Sequence, residues 1–407
     1  MASEFKSLSP DGIIAQKENE SLQERLHLLS KLIQQNGGCL SFDAFWKDSL
    51  YGPNGYYRRK AEIGTSAGSY NKSEVDFRTL ADNPAFIRAT KHFYKGFKKE
   101  HPEGKFIEFG GGTGSMKRGL SSLDPEENLS QEYISIDISE KLIERQSSWG
   151  GENIRSSALV WPFKQGAMLA TVFANELLDA FPMKVIAPTD PNNLNRSIQE
   201  LCLTLDADGK VTPTWVPVQP GARNYQKDDY WDELNELLEY WEDFKTSLSS
   251  LRYRPNKYVD LNDYELRIPY LCVNLNEKRF VRQLSKLAPG SKVILTDYGY
   301  TLNDFSPSSF ILPTGAQLRV YPSQNFSSKE SLASIPNYYL TRDITSDVNW
   351  DNVILNAKRY GLEVDFFSSQ HQFALLSMED EIMPQFETSL KTLMRRSSFK
   401  TLILSKK

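Results

Sequence analysis

The sequence predicts an α/β fold: a mostly parallel sheet with helices on both faces, an N-terminal helical region and one long insertion. Three observations predict it. The apolar run Lys105 to Phe109 carries an acid near its end, Glu108. It breaks into Gly110-Gly111-Gly112-Thr113-Gly114, after which Ser115 to Leu123 resumes helical spacing. A second run, Tyr133 to Asp137, also ends on an acid, and Ser139 can cap a helix from Glu140 to Ser148. The same strand–helix rhythm returns from Asn276 after an interruption that begins at Glu176.

Composition narrows the class. With 407 residues, 40% hydrophobic and 25% charged, the chain reads as ordinary globular protein long enough for a large core. A net charge of −4 excludes a general attraction to phosphate backbones, so no nucleic-acid partner is expected. Cys39, Cys202 and Cys272 form no C-x-x-C pair, the four histidines show no H-x-x-x-H spacing, and no metal is expected. The N-terminus MASEFKSLSPDG has no apolar core and is not Arg-rich. No run of about eighteen apolar residues occurs. The expectations are no membrane partner and a cytoplasmic location, mitochondrial only in a eukaryote.

The elements follow in order. Leu22, Leu26, Leu29 and Leu32 mark a helix from Glu20 to Gln35, stopped by Gly37-Gly38. Ser41 can cap a second helix with Phe42, Phe45, Trp46 and Leu50 on one face. Leu50 to Tyr57 is a turn-rich aromatic segment, Ile63 to Asp76 a polar loop or lid, and Asn83 to Lys99 an amphipathic helix. Past the two strand–helix units, Ala158 to Phe163 and Met168 to Ala174 are candidate strands, the second leading into Asn175-Glu176-Leu177-Leu178-Asp179-Ala180-Phe181-Pro182. Phe181 to Ala187 reads as extended. Ser197–Leu205 and Lys210–Val218 flank the turn Asp206-Ala207-Asp208-Gly209, a hairpin signal, and Asp228 to Leu251 reads as a long acidic, aromatic helix. Helix Asn276–Leu287, strand Lys292–Gly299, helix Asp347–Tyr360, strand Leu362–Ser368 and strand Ser398–Ser405 complete the chain. The expected division is 1–100 as a helical lid region, 101–190 with 276–407 as the core, and 191–275 as an inserted subdomain.

The glycine turn is not a dinucleotide loop. Counted from Gly110, the third glycine of G-x-G-x-x-G falls on Ser115; counted from Gly112, on Lys117. An acid followed by alternating glycines, with a second acid ending the next strand, fits S-adenosyl-L-methionine instead. Glu108 can meet its ammonium group, Gly110, Gly112, Thr113 and Gly114 make room for the methionine moiety, and Asp137, with Ile138 beside it, can take the ribose. Asn175 reads as a further cofactor contact. Tyr57, with Tyr56, can close over the sulfonium by cation–π contact or simply pack. Trp161 reads as core rather than as an adenine stack.

Gly110 to Gly114 with Asp137 resembles class I methyltransferases, and Asn175 to Pro182 resembles the N-E-x-x-D-A-x-P signature of the MidA-like family, which includes the mitochondrial complex I assembly-factor arginine methyltransferases. Further matching stretches are Ser41-Phe42, Leu50-Tyr51, Gly55-Tyr56-Tyr57, Asp297-Tyr298-Gly299, Gln317 to Tyr321 and Asp343-Ile344-Thr345. The resemblance implies a seven-stranded Rossmann-like sheet with a substrate-side insertion after the fourth strand. It implies methyl transfer to a nitrogen, with a protein arginine as acceptor. Carboxylates can pin a guanidinium by paired hydrogen bonds, which makes Glu176 the first candidate catalytic group and Asp179 the second. The family's G-D-F-x-T-S-x-E loop reads Gly68-Ser69-Tyr70-Asn71-Lys72-Ser73-Glu74 here, which motivates a small-molecule amine or hydroxyl as the alternative acceptor. A third reading is a cofactor-binding scaffold whose helix Asp228–Leu251 docks a protein partner. A homodimer is the oligomer considered.

Overall fold

In the computed structural model, which describes residues 10–59, 63–64, 77–78, 81–123, 129–189, 198–218, 271–301, 318–321, 324–326, 331–376 and 399–407, element ends fall where turn and cap chemistry put them. Helix α1 (Pro10–Gln35) stops where Gly37 and Gly38 adopt φ of 74° and 87°. Strand β1 (Cys39–Ser41) leads into α2 (Phe42–Tyr51). Ser41 holds the N-cap position but makes no side-chain cap bond, because its hydroxyl serves Asp43 instead. The short α3 (Tyr56–Arg59) follows, then β2 (Ile63–Gly64) and β3 (Phe77–Arg78), which pair in parallel. Asn83 caps α4 (Pro84–Glu100), its Oδ1 accepting from the backbone N–H groups of Ala85 and Phe86 at 3.1 and 3.2 Å.

The central sheet holds β4 (Lys105–Phe109), β5 (Tyr133–Asp137), β6 (Glu152–Arg155), β7 (Ala170–Asn175), β12 (Lys292–Tyr300), β17 (Leu362–Ser369) and β18 (Phe399–Lys406). Their spatial order is β17-β18-β12-β7-β4-β5-β6, with β18 antiparallel to both neighbours and the other six strands running in one direction. Helices α5 (Ser115–Leu123), α6 (Leu129–Glu132) and α7 (Glu140–Ser147) connect the first strands, and α8 (Leu275–Leu284), α9 (Trp350–Arg359) and α10 (Gln370–Leu375) the later ones. One face packs Phe86, Tyr94, Phe106, Met116 and Phe173; the other packs Phe109, Trp161, Phe280, Trp350 and Val353. Covered on both faces, β5 and β7 are buried throughout, which is why they read as continuous runs rather than alternations. The α/β expectation with the seven-stranded sheet is borne out.

The third strand differs from the sequence reading. Ala158 to Phe163 is a turn segment that seats Trp161 in the core, 6.4 Å from Phe109 and 5.4 Å from Phe163 between ring centroids. The strand is the polar Glu152–Arg155. It closes the sheet at an edge with side chains half or fully exposed, so it carries no apolar run to betray it.

A second sheet forms from β1, β8 (Lys184–Pro188), β9 (Ile198–Leu205), β10 (Val211–Pro217) and β11 (Leu271–Val273), in order β1-β9-β8-β11 with β10 also on β9. The N-terminal segment and the insertion therefore share one sheet, Ser41 lying opposite Cys202. A smaller sheet joins β13 (Leu318–Tyr321), β14 (Gln324–Phe326) and β15 (Asp343–Ser346), and β16 (Val348–Asn349) adds to β12. The loop Gly68–Glu74 and the helix expected at Asp228–Leu251 lie outside the described residues.

Lys184 ties this second sheet to α2. Its Nζ lies 3.1 Å from both Asp43 Oδ1 and Glu200 Oε1, and Lys184 and Glu200 are each 3% exposed. A buried carboxylate stripped of its cation costs about 3–5 kcal/mol. Lys184→Met is expected to lower unfolding free energy by about that amount in denaturant titration, with Lys184→Met/Glu200→Leu recovering most of it. Equal stability of wild type and Lys184→Met would mean that the pair carries no net energy.

Candidate active site

Strand order reverses between β4 and β7, and the chain leaves both strands at the same edge of the sheet. Such a switch point opens a crevice for ligands. A cavity of about 750 Å³ occupies it, lined by Glu108, Gly110 to Thr113, Asp137, Ile138, Asn175 and Glu176 among others. The second sheet's side contributes Ala180, Phe181 and Pro182, and the N-terminal region Asp43, Lys47, Tyr51 and Tyr57.

The glycine turn is held from below. Gly110 donates its N–H to Ile136 O at 2.9 Å, and Gly110, Gly112 and Gly114 adopt φ of 67°, 54° and 79°. A Cβ on Gly111 would stand 2.6 Å from Glu108 Oε2, so bare backbone is what lets the turn sit over that acid. Gly114 does not line the cavity; its N–H bonds Gly111 O at 2.9 Å and closes the turn. Thr113 lines it, with its hydroxyl 3.2 Å from that of Ser115.

Both strand-end acids are buried: Glu108 is 3% exposed and Asp137 6%. Burial pushes Glu108 up to about 7, against the opposing hydrogen bond of Tyr133 (2.5 Å) and the charge of Lys117. Burial pushes Asp137 to about 6, held down by backbone N–H groups of Ser139, Gly112 and Ile138 and by the Gln146 amide. Ile138 stands at the rim, 37% exposed.

Beyond β7, Asn175 donates from Nδ2 to Glu176 Oε1 at 3.1 Å. Glu176 bonds Thr296 O through its N–H at 2.9 Å and has φ of 49°. The left-handed region is uncommon for a residue with a side chain, and such conformations gather at functional sites. Asp179 is elsewhere. It is 4% exposed and does not line the cavity, because the backbone N–H groups of Leu178 and Asp179 both turn onto Asp297 Oδ2 at 3.0 and 3.2 Å. Burial, then the nearby Asp179 and Glu176, raises Asp297 well above the usual carboxylate range.

The N-terminal tyrosines roof this space. Tyr51 and Tyr57 stack at 5.5 Å; Tyr51 donates to Ala180 O at 2.8 Å and Tyr57 to Asp343 Oδ1 at 2.9 Å. The structure thus brings together Tyr57, Glu108, Gly110, Gly112, Thr113, Asp137, Ile138, Asn175 and Glu176 on one cavity, and leaves Gly114 and Asp179 behind its wall. Sequence reasoning missed Lys47, Arg279 and Arg282, which also line it; the three-residue spacing of the two arginines on α8 was the available signal. Among the described residues no His, Cys, Asp and Glu cluster could hold a metal, and no helix is long and apolar enough to cross a membrane.

Comparisons with known proteins agree on this architecture. A Burkholderia thailandensis protein solved bound to S-adenosyl-homocysteine aligns over 99% of this chain and 95% of its own, at 18% identity and TM-score 0.66. A native crystal structure from the same organism aligns over the same shares, at 17% identity and TM-score 0.63. At such identity these likenesses show the fold. No curated protein sequence matches. The family model described as "Putative S-adenosyl-L-methionine-dependent methyltransferase" matches residues 88–368, which spans the glycine turn, both strand-end acids and Glu176. Matched over more than half its length, the chain belongs to this family of S-adenosyl-L-methionine-dependent methyltransferases.

Proposed function

We propose that this methyltransferase acts on a nitrogen, with a protein arginine guanidinium as acceptor. The observation that carries the reading is Glu176: a carboxylate held in a left-handed backbone conformation, lining the same cavity as the glycine turn. Bound at that turn, S-adenosyl-L-methionine supplies a methyl group on a positively charged sulfur. Glu108 then stands at its ammonium group, Asp137 with Ile138 at its ribose, and Gly110, Gly112 and Thr113 along its methionine moiety, with Gly114 shaping the turn. Asn175 orients Glu176 through its 3.1 Å bond, and Tyr57 closes the roof. Glu176 accepts hydrogen bonds from the guanidinium and draws its charge away from the attacking nitrogen. Asp179 shapes the turn through its backbone bond to Asp297 rather than meeting the acceptor.

One observation favours a second reading, a small anionic acceptor: Lys47, Arg279 and Arg282 line the same cavity. A lysate assay with labelled methyl donor, resolved into protein and small-molecule fractions, separates the two. The arginine reading expects label on protein, recovered as methylarginine after hydrolysis. Label confined to small molecules overturns it.

A further inference from the structure

Lys117 has no exposed surface, although lysine is almost never fully buried without partners, and no step of the proposed transfer uses it. It projects from α5 beneath the glycine turn. Its Nζ lies 5.2 Å from the centroid of the Tyr133 ring, 3.2 Å from Asn153 Oδ1, and 3.4 Å from both Ser135 Oγ and Gln146 O. Tyr133, 1% exposed, donates its hydroxyl to Glu108 Oε2 at 2.5 Å. Gln146 donates from Nε2 to Gly112 O at 2.8 Å and to Asp137 Oδ2 at 3.4 Å. Neither Lys117 nor Tyr133 nor Gln146 lines the cavity. These side chains form a buried polar layer one step behind the wall, joined to both strand-end acids and to the turn.

We propose that Tyr133 and Lys117 are positioning residues for cofactor capture, holding the Glu108 carboxylate ionised and in one orientation behind the glycine turn, where it meets the cofactor's ammonium group. The proposal rests on the reading that Glu108 makes that contact.

The physical need is clear from the surroundings of Glu108. Its strand neighbours are Ser135 on β5 and Phe173 on β7, neither charged. The titratable groups acting on it are Tyr133 and Asp137 from β5 and Lys117 from α5, with the neutral Gln146 amide from α7 close by. Asp137 and burial favour the protonated acid; Tyr133 and Lys117 favour the carboxylate. With the two helpers present Glu108 stands at about 7. The cofactor's amino group, flanked by its own carboxylate, stays protonated through neutral pH. The low-pH bound of the pairing is therefore set by Glu108, and the tyrosine hydroxyl and the lysine hold that bound down. Affinity rises with pH below that bound, since only the ionised acid pairs with the cation.

The test is titration calorimetry of S-adenosyl-homocysteine, which keeps the ammonium group, across about pH 5.5 to 8.5. Wild type, Tyr133→Phe, Lys117→Met and Glu108→Gln are compared. Tyr133→Phe keeps the ring and its packing. Tyr133→Phe and Lys117→Met are each expected to move the low-pH limb up by about one unit, a loss of about tenfold near pH 6.5 that shrinks towards pH 8. Glu108→Gln is expected to bind weakly and to lack that limb. A parallel NMR titration of the Glu108 carboxylate in cofactor-free protein should show the same upward shift. Unmoved limbs in Tyr133→Phe and Lys117→Met, with Glu108→Gln still weak, would overturn the positioning role alone. Wild-type binding by Glu108→Gln would instead overturn the reading on which it rests.

Discussion

Glu176→Gln is expected to bind S-adenosyl-L-methionine as tightly as the wild type and to lower kcat by about two to three orders of magnitude. The amide keeps the size of the side chain and one acceptor oxygen, but loses the charge that pairs with a guanidinium, so the loss falls on transfer rather than on cofactor binding. Single-turnover rates at saturating cofactor, beside calorimetric affinity, measure the two quantities separately. A structural explanation of Glu176 predicts something else, and Glu176→Gly separates the two. At φ of 49° a side chain costs about 1–2 kcal/mol. Glycine removes that cost and gives back about 0.5–1 kcal/mol through its freer unfolded chain. Thermal stability should therefore hold or rise while transfer collapses. A residue kept for the fold would show the reverse, a lower Tm with transfer intact.

Features carried by local pattern were legible in the sequence. The strand Lys105–Phe109, the glycine turn and the helix Ser115–Leu123 have the bounds the sequence indicates, because a doubly covered parallel strand must be apolar and a turn with positive φ needs glycine. Both strand-end acids were placed for the same reason. The polar strand Glu152–Arg155 escaped, since pairing on one side only demands no apolar run. Lys117 escaped as well. Between the buried Met116 and Leu120 a lysine reads as the flank of an amphipathic helix, and only the packing of Tyr133 and Asn153 over it shows that it is enclosed. Asp179 escaped because spacing put it near Glu176, whereas the wrapping of its backbone around Asp297 turns it from the cavity. The left-handed backbone of Glu176 has no sequence signal at all. It arises where the chain leaves β7, with the Glu176 N–H bonded to Thr296 O on β12, a residue far off in the chain.

Gly112→Val is expected to weaken cofactor binding by at least about a hundredfold while leaving a folded protein. Gly112 lines the cavity at φ of 54°, and a β-branched side chain is a genuine outlier there. Its carbonyl accepts from Gln146 at 2.8 Å and its N–H from below serves Asp137, so the backbone is pinned from both sides and cannot swing aside to make room. The valine methyl groups then occupy space on the cavity wall. Strain of this kind amounts to about 1–3 kcal/mol and would distort the turn as well, so affinity alone does not separate occlusion from distortion. Gly114→Ala supplies the separation. Gly114 shares the turn and a φ of 79° but does not face the cavity, and a Cβ there would meet Gln146 and Trp149 at 3.4 Å. It should lose stability by about 1–2 kcal/mol with a much smaller loss of affinity. Two variants with equal losses of affinity would trace the effect to the shape of the turn. Unchanged affinity in Gly112→Val would move the cofactor away from the turn altogether.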